Sequence, residues 1–232
     1  RQAENLREEK SHSVSLSADM YRRFGAFQCN LLLEGFYTRL NHVFVLEEIG
    51  KDEEHNAVIK ERRNGQGAEV AGVTVEGKVA YLSLVQLQAG VTWQKSHYTR
   101  PEKWSKDSSV PAEKRIFRTP DWYGYFTATY SPVKPLNIAL SGTYTGSMIV
   151  QHMKGYIPKD MAVTTPDFFD MNLKISYDFS LYKFITLQLN AGVQNIFNAY
   201  QRDFDQGKER DSGYIYGSSM PRSYFAGAKL MF

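Results

Sequence analysis

The chain has 232 residues, a formal net charge of +3 and 14% aromatic residues, and its length suffices for one large β domain or two ordinary ones. Its 28 basic residues do not gather into the patch that nucleic-acid binding requires, and the single cysteine, Cys29, excludes an intramolecular disulfide. No apolar run reaches the roughly 18 residues of a spanning helix. The first ten residues lack a secretory-signal pattern, so we expect either a soluble chain or a piece of an exported protein.

Apolar and polar residues alternate with a period of two along most of the chain, which is the pattern of a β-strand with one apolar and one polar face. The clearest case is 136–150, where even positions are mostly apolar and odd positions are small and polar. No segment has the period of an amphipathic helix. The alternation predicts nine long strands, in chain order at 12–23, 26–46, 57–78, 81–96, 118–131, 135–152, 167–180, 183–197 and 221–232.

The predicted connections between these strands differ in length. Tight turns are expected at 22–25, 131–135 and 180–183. Longer polar links are expected near 47–56, 97–117, 153–166 and 198–220. Many of the strands exceed the usual length of about 5–6 residues, and a tilted strand needs about 9–11 residues to cross a bilayer. Short turns on one side and long loops on the other are typical of an outer-membrane barrel.

The chemistry of the polar face helps to distinguish a membrane barrel from a soluble one, because a lipocalin-like barrel alternates in the same way. A solvent-facing surface usually carries charge at about a quarter of its positions, whereas the polar positions of 137–147 and 86–94 carry none. Small neutral side chains favour a crowded, wet lumen. Asp170, Lys174 and Asp178 weaken this argument, so a soluble barrel that holds a small ligand stays as the alternative.

Aromatic side chains near the predicted strand ends stand where the girdles of a membrane barrel lie. Packing on a core would explain the same residues, since Tyr and Phe favour strands in general. The last strand adds a second indication, because it has an apolar residue at every other position and ends on Phe232. The candidate girdle residues are Trp93, Trp122, Tyr130, Tyr144, Tyr177, Tyr182 and Tyr224.

The stretch 190–232 resembles the C-terminal end of TonB-dependent outer-membrane receptors, particularly those of Bacteroidetes type. Its matching motifs are an Asn-Ile-Phe-Asn step at 195–198, a long loop, and a Pro-Arg pair at 221–222 that opens the last strand. Further stretches that resemble recurrent barrel strands of the family are 63–68 running into 72–73, 119–124 and 142–146. Together the matches cover most of the chain.

The resemblance implies an all-β fold, an antiparallel up-and-down transmembrane β-barrel of about 22 strands. Residues 1–232 would form its C-terminal portion of about nine long strands, with the plug domain absent from this chain. Nine antiparallel strands cannot close on themselves, because the first and last point the same way, and single-chain bacterial barrels have even strand counts. We therefore expect its partners to include an N-terminal plug, the remaining barrel strands, and lipid of the outer membrane of a Gram-negative bacterium.

The resemblance also implies transport and not enzymatic catalysis. The complete receptor would bind a scarce, bulky nutrient such as a ferric siderophore, haem, cobalamin or a glycan, and TonB acting through the plug would drive uptake. This chain would supply barrel wall and external loops, with no cofactor and no nucleic-acid partner. The sequence contains no nucleophile elbow, phosphate-binding loop or catalytic carboxylate pair.

Two groups of residues in the predicted external loops are candidate ligand contacts. The first combines aromatic rings with cations in the 97–117 region and suits an anionic, flat or sugar-like ligand, unless that loop folds over its own aromatics. The second follows an acidic run with an incomplete calcium-loop pattern, so we expect an ordinary solvated loop and no metal. The candidates are His97, Tyr98, Arg100, Trp104, Arg202, Asp203, Asp205, Arg210, Asp211 and Tyr214.

The five histidines are scattered along the chain without metal-binding spacing. His97 and His152 lie near predicted external strand ends, where they are possible haem or metal ligands. A lone histidine is more often plain polar surface, and we expect this for both.

Overall fold

The computed structural model describes residues 1–52, 54, 55, 57–218 and 220–232; Glu53, Asn56 and Ser219, which belong to two predicted loops, lie outside this part. Among the described residues, no helix is long and apolar enough to cross a bilayer. The strands are β1 (Lys10–Phe24), β2 (Phe27–Asn41), β3 (Phe44–Asp52), β4 (Ala57–Asn64), β5 (Ala68–Tyr81), β6 (Val85–Glu102), β7 (Glu113–Arg115), β8 (Trp122–Val133), β9 (Leu136–Thr145), β10 (Ile149–His152), β11 (Met161–Thr164), β12 (Phe168–Tyr182), β13 (Ile185–Gln194) and β14 (Ser223–Met231).

Nine of these strands form one antiparallel sheet in which each strand pairs with its neighbour along the path. The order is β1-β2-β5-β6-β8-β9-β12-β13-β14, and the short β7 pairs with β6. We call the nine-strand sheet the wall. Its strands correspond one to one to the nine predicted strands, so the prediction of an antiparallel up-and-down barrel portion is confirmed. Within the described residues the wall is not closed, and β1 and β14 are its two edges.

Three of the predicted strands are longer than the wall strands that the structure shows, because the chain leaves the wall at these points to form small hairpins. The strand predicted at 26–46 ends early, where His42 has a left-handed backbone (φ 57°) that extended structure does not allow. The predicted loop 47–56 lies instead within the hairpin of β3 and β4. The predicted strands 57–78 and 135–152 are each divided in two, into β4 and β5 and into β9 and β10.

The short and the long connections of the wall lie at opposite ends of its strands, as the sequence predicts. One end carries the short turns 25–26, 82–84, 134–135 and 183–184. The other end, which we call the long-loop end, carries the β3–β4 hairpin and the segments 103–121, 146–167 and 195–222. The last three segments together are the loop cluster.

The two faces of the wall are buried in the opposite sense to those of a water-soluble sheet. Along β6 the polar side chains of Thr92, Gln94 and Ser96 are only 6–9% exposed. Val91 and Trp93, which alternate with them, are 44% and 40% exposed. Leucine and valine side chains of neighbouring strands are exposed in the same way, and a soluble protein rarely leaves so large an apolar surface in water. The apolar face therefore suits hydrocarbon, and the polar face suits a crowded interior.

Polar side chains of the crowded face hydrogen-bond across strands. The hydroxyl oxygens of Thr74 and Thr92 are 2.9 Å apart, and Gln188 Nε2 donates to Asp178 Oδ1 at 2.8 Å. Such pairing satisfies polar groups that are shielded from bulk water. The cross-strand bonds therefore let this face stay polar although it is the more buried one.

Candidate functional site

The loop between β13 and β14 is closed at its base by the Asn-Ile-Phe-Asn step. Asn195 (φ 51°) accepts a hydrogen bond from the amide of Ala199 at 2.8 Å and donates one to the carbonyl of Met220 at 3.1 Å. Asn198 (φ 55°) accepts one from the amide of Arg222 at 2.9 Å. Asparagine tolerates this left-handed backbone, and its amide group both donates and accepts. The two asparagines therefore tie the start of the loop to the Pro-Arg step at its end.

Gln201 is the central buried side chain of this loop and is only 1% exposed. Its Nε2 donates to the carbonyl of Tyr214 at 3.1 Å, and its Oε1 accepts from the amide of Tyr216 at 2.9 Å. A buried amide needs such partners, since an unsatisfied one costs about 1–3 kcal/mol. Gln201 thus gives the loop a small polar core.

A histidine from the neighbouring segment joins this loop. His152, at the end of β10, has Nε2 at 2.9 and 3.0 Å from the two carboxylate oxygens of Asp205, and both side chains are buried. The ring of Tyr214 stacks on the imidazole at 3.7 Å with an interplanar angle of 7°. Asp205 also accepts from the amide of Asp211 at 2.9 Å. We call His152, Asp205 and Tyr214 the latch, because they hold two segments of the loop cluster together.

Two tyrosine hydroxyls hold the carboxylate of Asp203 beside the latch. Tyr214 donates to its Oδ2 at 2.8 Å and Tyr216 to its Oδ1 at 2.6 Å. Burial, with the hydrogen bond to Asp203 as the next cause, raises the pKa of Tyr214 and raises the pKa of Tyr216 to about 12. Burial also acts to raise the pKa of Asp203, but hydrogen bonds led by that from Tyr216 outweigh it and hold this pKa below its usual value. At neutral pH both phenols are therefore protonated and Asp203 is ionised.

The segment 103–121 contacts both of the other segments of the loop cluster. The guanidinium of Arg118 donates to the carbonyl of Ile215 at 2.6 Å and to that of Gly213. Ser105 Oγ donates to Asp160 Oδ2 at 2.5 Å. The three segments are therefore bonded to one another.

Trp104, a predicted ligand contact, is engaged within its own segment. Its indole N–H donates to the carbonyl of Pro111 at 3.1 Å, and its ring meets Phe117 edge-on at 5.3 Å. This is the arrangement of a loop that folds over its own aromatics, the alternative that the sequence left open.

The other three candidates of the first group lie on β6. His97 Nε2 is 3.7 Å from Glu69 Oε2 on β5, at the apolar face of the wall. Tyr98 is half-buried and Arg100 is exposed. The structure does not gather these three residues with Trp104 into one pocket among those described.

The second group divides into buried and exposed members. The carboxylates of Asp205 and Asp211 and the ring of Tyr214 are engaged by protein groups, since Asp211 accepts from the amide of Met153 at 2.7 Å. Asp203 is exposed as a residue, but both of its carboxylate oxygens are engaged. Arg202 and Arg210 are also exposed, and the Arg202 guanidinium lies 5.1 Å from the centre of its neighbour's ring, that of Tyr200. No three histidine, cysteine or acidic side chains of the described chain are placed to hold a metal ion. Whether any of these residues binds ligand stays a prediction.

Four residues that organise the loop cluster were missed or set aside by sequence reasoning. The expectation that His152 is plain polar surface is wrong, since this residue is only 7% exposed. Gln201, Arg118 and Tyr216 were not singled out. Their hydrogen-bond partners lie 13–97 residues away along the chain, and no local sequence pattern indicates such pairs. The Asn-Ile-Phe-Asn step and the Pro-Arg pair were local signals in this region, and they mark the base of the loop.

Comparisons with known proteins agree with this architecture. Residues 1–196 match the family described as TonB dependent receptor-like, beta-barrel. A search of curated proteins finds no match. The ferripyoverdine receptor of Pseudomonas aeruginosa, solved with ferripyoverdine, superposes with a TM-score of 0.64 at 14% identity over 97% of this chain and 27% of that one.

Two further solved structures show the same likeness. The ferric-catecholate import receptor Fiu of E. coli K12 has a TM-score of 0.61 at 18% identity, over 98% of this chain and 28% of its own. A mutant of the ferric enterobactin receptor PfeA of Pseudomonas aeruginosa has a TM-score of 0.59 at 16% identity, over 97% and 32%. At these identities the likeness shows the fold alone, and this chain spans about a third or less of each structure's length. The family match covers most of the chain, which therefore belongs to the TonB-dependent receptor β-barrel family of outer-membrane transport receptors.

Proposed function

We propose that this chain supplies nine C-terminal wall strands and the external loops of a receptor in the outer membrane of a Gram-negative bacterium. The complete receptor takes up a scarce, bulky nutrient: a ferric siderophore, haem, cobalamin or a glycan. Its N-terminal plug and remaining barrel strands lie outside residues 1–232. TonB acts through the plug to drive uptake, and the receptor catalyses no reaction.

The inverted burial of the wall is the observation that carries this proposal. The apolar face exposes Leu33 and Val91, which are 49% and 44% exposed, while Thr92 on the polar face is only 6% exposed. Lipid is the solvent that favours such a face, since its cost in water is about 25 cal/mol per Å² of apolar surface. The alternative function, a soluble barrel that binds a small ligand, requires the apolar face to be buried and the polar face to be exposed.

The two edges of the wall support the need for further strands. Because nine strands alternate in direction, β1 and β14 run the same way and cannot pair antiparallel with each other. An unpaired edge in hydrocarbon leaves backbone groups unsatisfied at several kcal/mol each. An odd number of additional strands completes the barrel.

Among the predicted ligand contacts, we assign direct contact to the exposed cations Arg100, Arg202 and Arg210. Each of these residues is exposed near the long-loop end. We assign a supporting role to Asp205, Asp211 and Tyr214, because their polar atoms or rings already hold the loop together.

Fractionation and transport assays on the complete receptor test the proposal. We expect the receptor in the outer-membrane fraction, with a folded form that migrates differently from the boiled form in SDS gels. Cells that lack TonB should still bind the nutrient but not accumulate it. Recovery of the receptor as a monomer from the aqueous fraction, or uptake that is equal with and without TonB, would contradict the proposal.

A further inference from the structure

The end of the wall that carries the short turns, which we call the short-turn end, has positive charge without negative charge. Its four turns, taken with their flanking residues, hold four basic side chains and no acidic one. These stretches are 20–29, 79–88, 130–139 and 179–187. The basic residues are Arg22, Arg23, Lys134 and Lys183, all of them exposed. An anion outside the chain is therefore attracted to these turns and meets no like charge in them.

Three of these cations are placed to reach the lipid side of the wall. Arg22 belongs to the apolar face, because it alternates with Met20 and Phe24 along β1. Lys134 lies in the turn between β8 and β9, and Lys183 lies in the turn between β12 and β13. These two turns are two strands apart in the wall, a separation on the order of 10 Å. We call Arg22, Lys134 and Lys183 the cation row.

Large apolar side chains flank the members of the cation row. Tyr182 and Phe184, on either side of Lys183, are 71% and 80% exposed, and Val133 beside Lys134 is 53% exposed. Such side chains are unfavourable in water, whereas aromatic rings and long cationic side chains suit the boundary between hydrocarbon and headgroups. The turns are therefore suited to lie among the headgroups and not beyond them in water.

The opposite end of the apolar face also carries cations, but these are paired within the chain. Arg39 Nη1 is 3.7 Å from Glu69 Oε1, and the Lys95 ammonium pairs with the carboxylate of Asp121. Within the residues that the structure describes, no acidic side chain pairs with a member of the cation row. Arg22 Nη1 donates to the carbonyl of Tyr21 at 3.0 Å, which leaves further N–H groups of its guanidinium for another acceptor. The cation row is therefore the part of this face where an anion from outside the chain fits.

We propose that the cation row binds the phosphate groups of anionic phospholipids in the leaflet that surrounds the short-turn end. A headgroup such as phosphatidylglycerol has a net negative charge, whereas phosphatidylcholine carries a cation of its own that offsets its phosphate. Guanidinium groups bind phosphate oxygens through paired hydrogen bonds, and lysine ammonium groups attract them as point charges. The exposed rings beside Lys183 meet the apolar part of the same lipid molecules.

The inference goes beyond the proposed function by naming a lipid class, and it rests on that function for placing the apolar face in a bilayer. The complete receptor, purified in a neutral detergent, is titrated with phosphatidylglycerol and, separately, with phosphatidylcholine of the same acyl chains. Native mass spectrometry counts the lipid molecules bound at each concentration. Inorganic phosphate is added as a competitor, because it carries the same chemical group without the acyl chains.

We expect the receptor to bind phosphatidylglycerol more tightly than phosphatidylcholine, and inorganic phosphate not to displace it. The triple variant Arg22→Gln/Lys134→Gln/Lys183→Gln should bind at least one phosphatidylglycerol fewer at saturation and the same amount of phosphatidylcholine. Loss of a single cation, as in Lys183→Gln, should weaken one site about fivefold, the factor that one basic residue contributes near an anionic lipid surface. A rise in salt above about 0.1 M should narrow the difference between the lipids, since the screening length is then below about 10 Å.

The matched control removes the same charge from the polar face near the same end. It is the triple variant Arg23→Gln/Lys78→Gln/Lys229→Gln, whose residues all fall on the polar face in the strand register. This variant should bind as much phosphatidylglycerol as the unmodified receptor. Each variant must keep the folded migration in SDS gels, and Lys183→Gln alone serves if a triple variant fails to fold. Lys183→Arg, which keeps the charge, should retain the preference.

The inference is overturned if the two lipids bind equally, if the two triple variants lose the same number of phosphatidylglycerol molecules, or if inorganic phosphate displaces the lipid. These failures are distinct from failure of the proposed function. A receptor that resides in the outer membrane and takes up its nutrient, but shows no preference between the lipids, loses this inference alone. A preference for phosphatidylglycerol in a receptor without TonB-dependent uptake would remove the transport proposal and leave the lipid site.

Discussion

In the wall, Val91 and Trp93 keep about two-fifths of their surface exposed, whereas in the loop cluster Gln201 and the side chain of Asp205 are almost completely buried. The wall turns apolar groups outward and relies on lipid to cover them. The loop cluster turns polar groups inward and satisfies them with its own hydrogen bonds. The two regions therefore depend on different forces, since the first needs hydrocarbon and the second needs specific long-range partners.

The largest expected effect on stability comes from placing a charge on the apolar face of the wall instead of the polar face. Leu33→Arg places a charge on the lipid face, where an arginine near the midplane costs about 2–4 kcal/mol. Leu32→Arg is the matched control, because residue 32 lies on the polar face between Asp19 and Glu76 in the strand register. The folded fraction of the complete receptor in bilayers, followed by gel migration across a urea titration, should fall for Leu33→Arg alone. Equal losses for the two variants would remove the distinction between the faces.

The next effect concerns the loop cluster alone. His152→Ala deprives the buried carboxylate of Asp205 of a partner, and we expect local opening to become easier by about 1–3 kcal/mol. Hydrogen exchange of the Asp211 and Met153 amides should accelerate, and trypsin should cleave within 202–210, while the wall keeps its thermal stability. His12→Ala, on the exposed face of β1, should change neither. Unaltered exchange in His152→Ala would show that the latch does not hold the segments together.

A smaller effect tests packing between wall strands. A Cβ atom on Gly124 would stand 2.6 Å from the carbonyl oxygen of Gly90, a backbone atom that cannot turn aside. Gly124→Ala should therefore destabilise the receptor by about 1–2 kcal/mol. Gly35→Ala is the control, because nothing lies within 4 Å of its Cβ position. The same urea titration measures both, and a loss as large in Gly35→Ala would point to backbone freedom and not to packing.

The smallest effect is a pH dependence confined to the loop cluster. The pKa of Tyr216 rises from 10.0 to about 12 on folding, so the folded cluster retains protons that the unfolded chain releases. This contribution to stability is complete below about pH 10 and is lost as the pH rises through about 12. Tyrosinate absorbance should show a late-titrating component that is smaller in the Tyr214→Phe/Tyr216→Phe variant. A titration that is the same in both proteins would contradict the network around Asp203.

The fold was largely predictable because alternation and loop length are local properties. The alternation of apolar residues such as Val91 and Trp93 with polar residues such as Thr92 and Gln94 is visible in the sequence. It predicts where the strands are, how many there are and which face of each is apolar. The β3–β4 hairpin was not predicted, since β3 reads as a strand end followed by a polar loop and β4 reads as the start of the next long strand. His42 separates β2 from β3, and its left-handed backbone has no marker in the sequence.

The candidate site was less predictable, because its geometry depends on residues far apart in the chain. The sequence alone determined that Asp205 and Tyr214 lie in a long loop, since the strand pattern stops there. Only the tertiary structure decided that they face His152, 53 residues before Asp205, and not the solvent. It also decided that the guanidinium of Arg118 reaches the carbonyl of Ile215, 97 residues further along the chain. The alternation of apolar and polar residues is a property of neighbouring residues, so any short stretch of sequence shows it. Hydrogen bonds between loops, in contrast, depend on how the whole wall brings distant segments together.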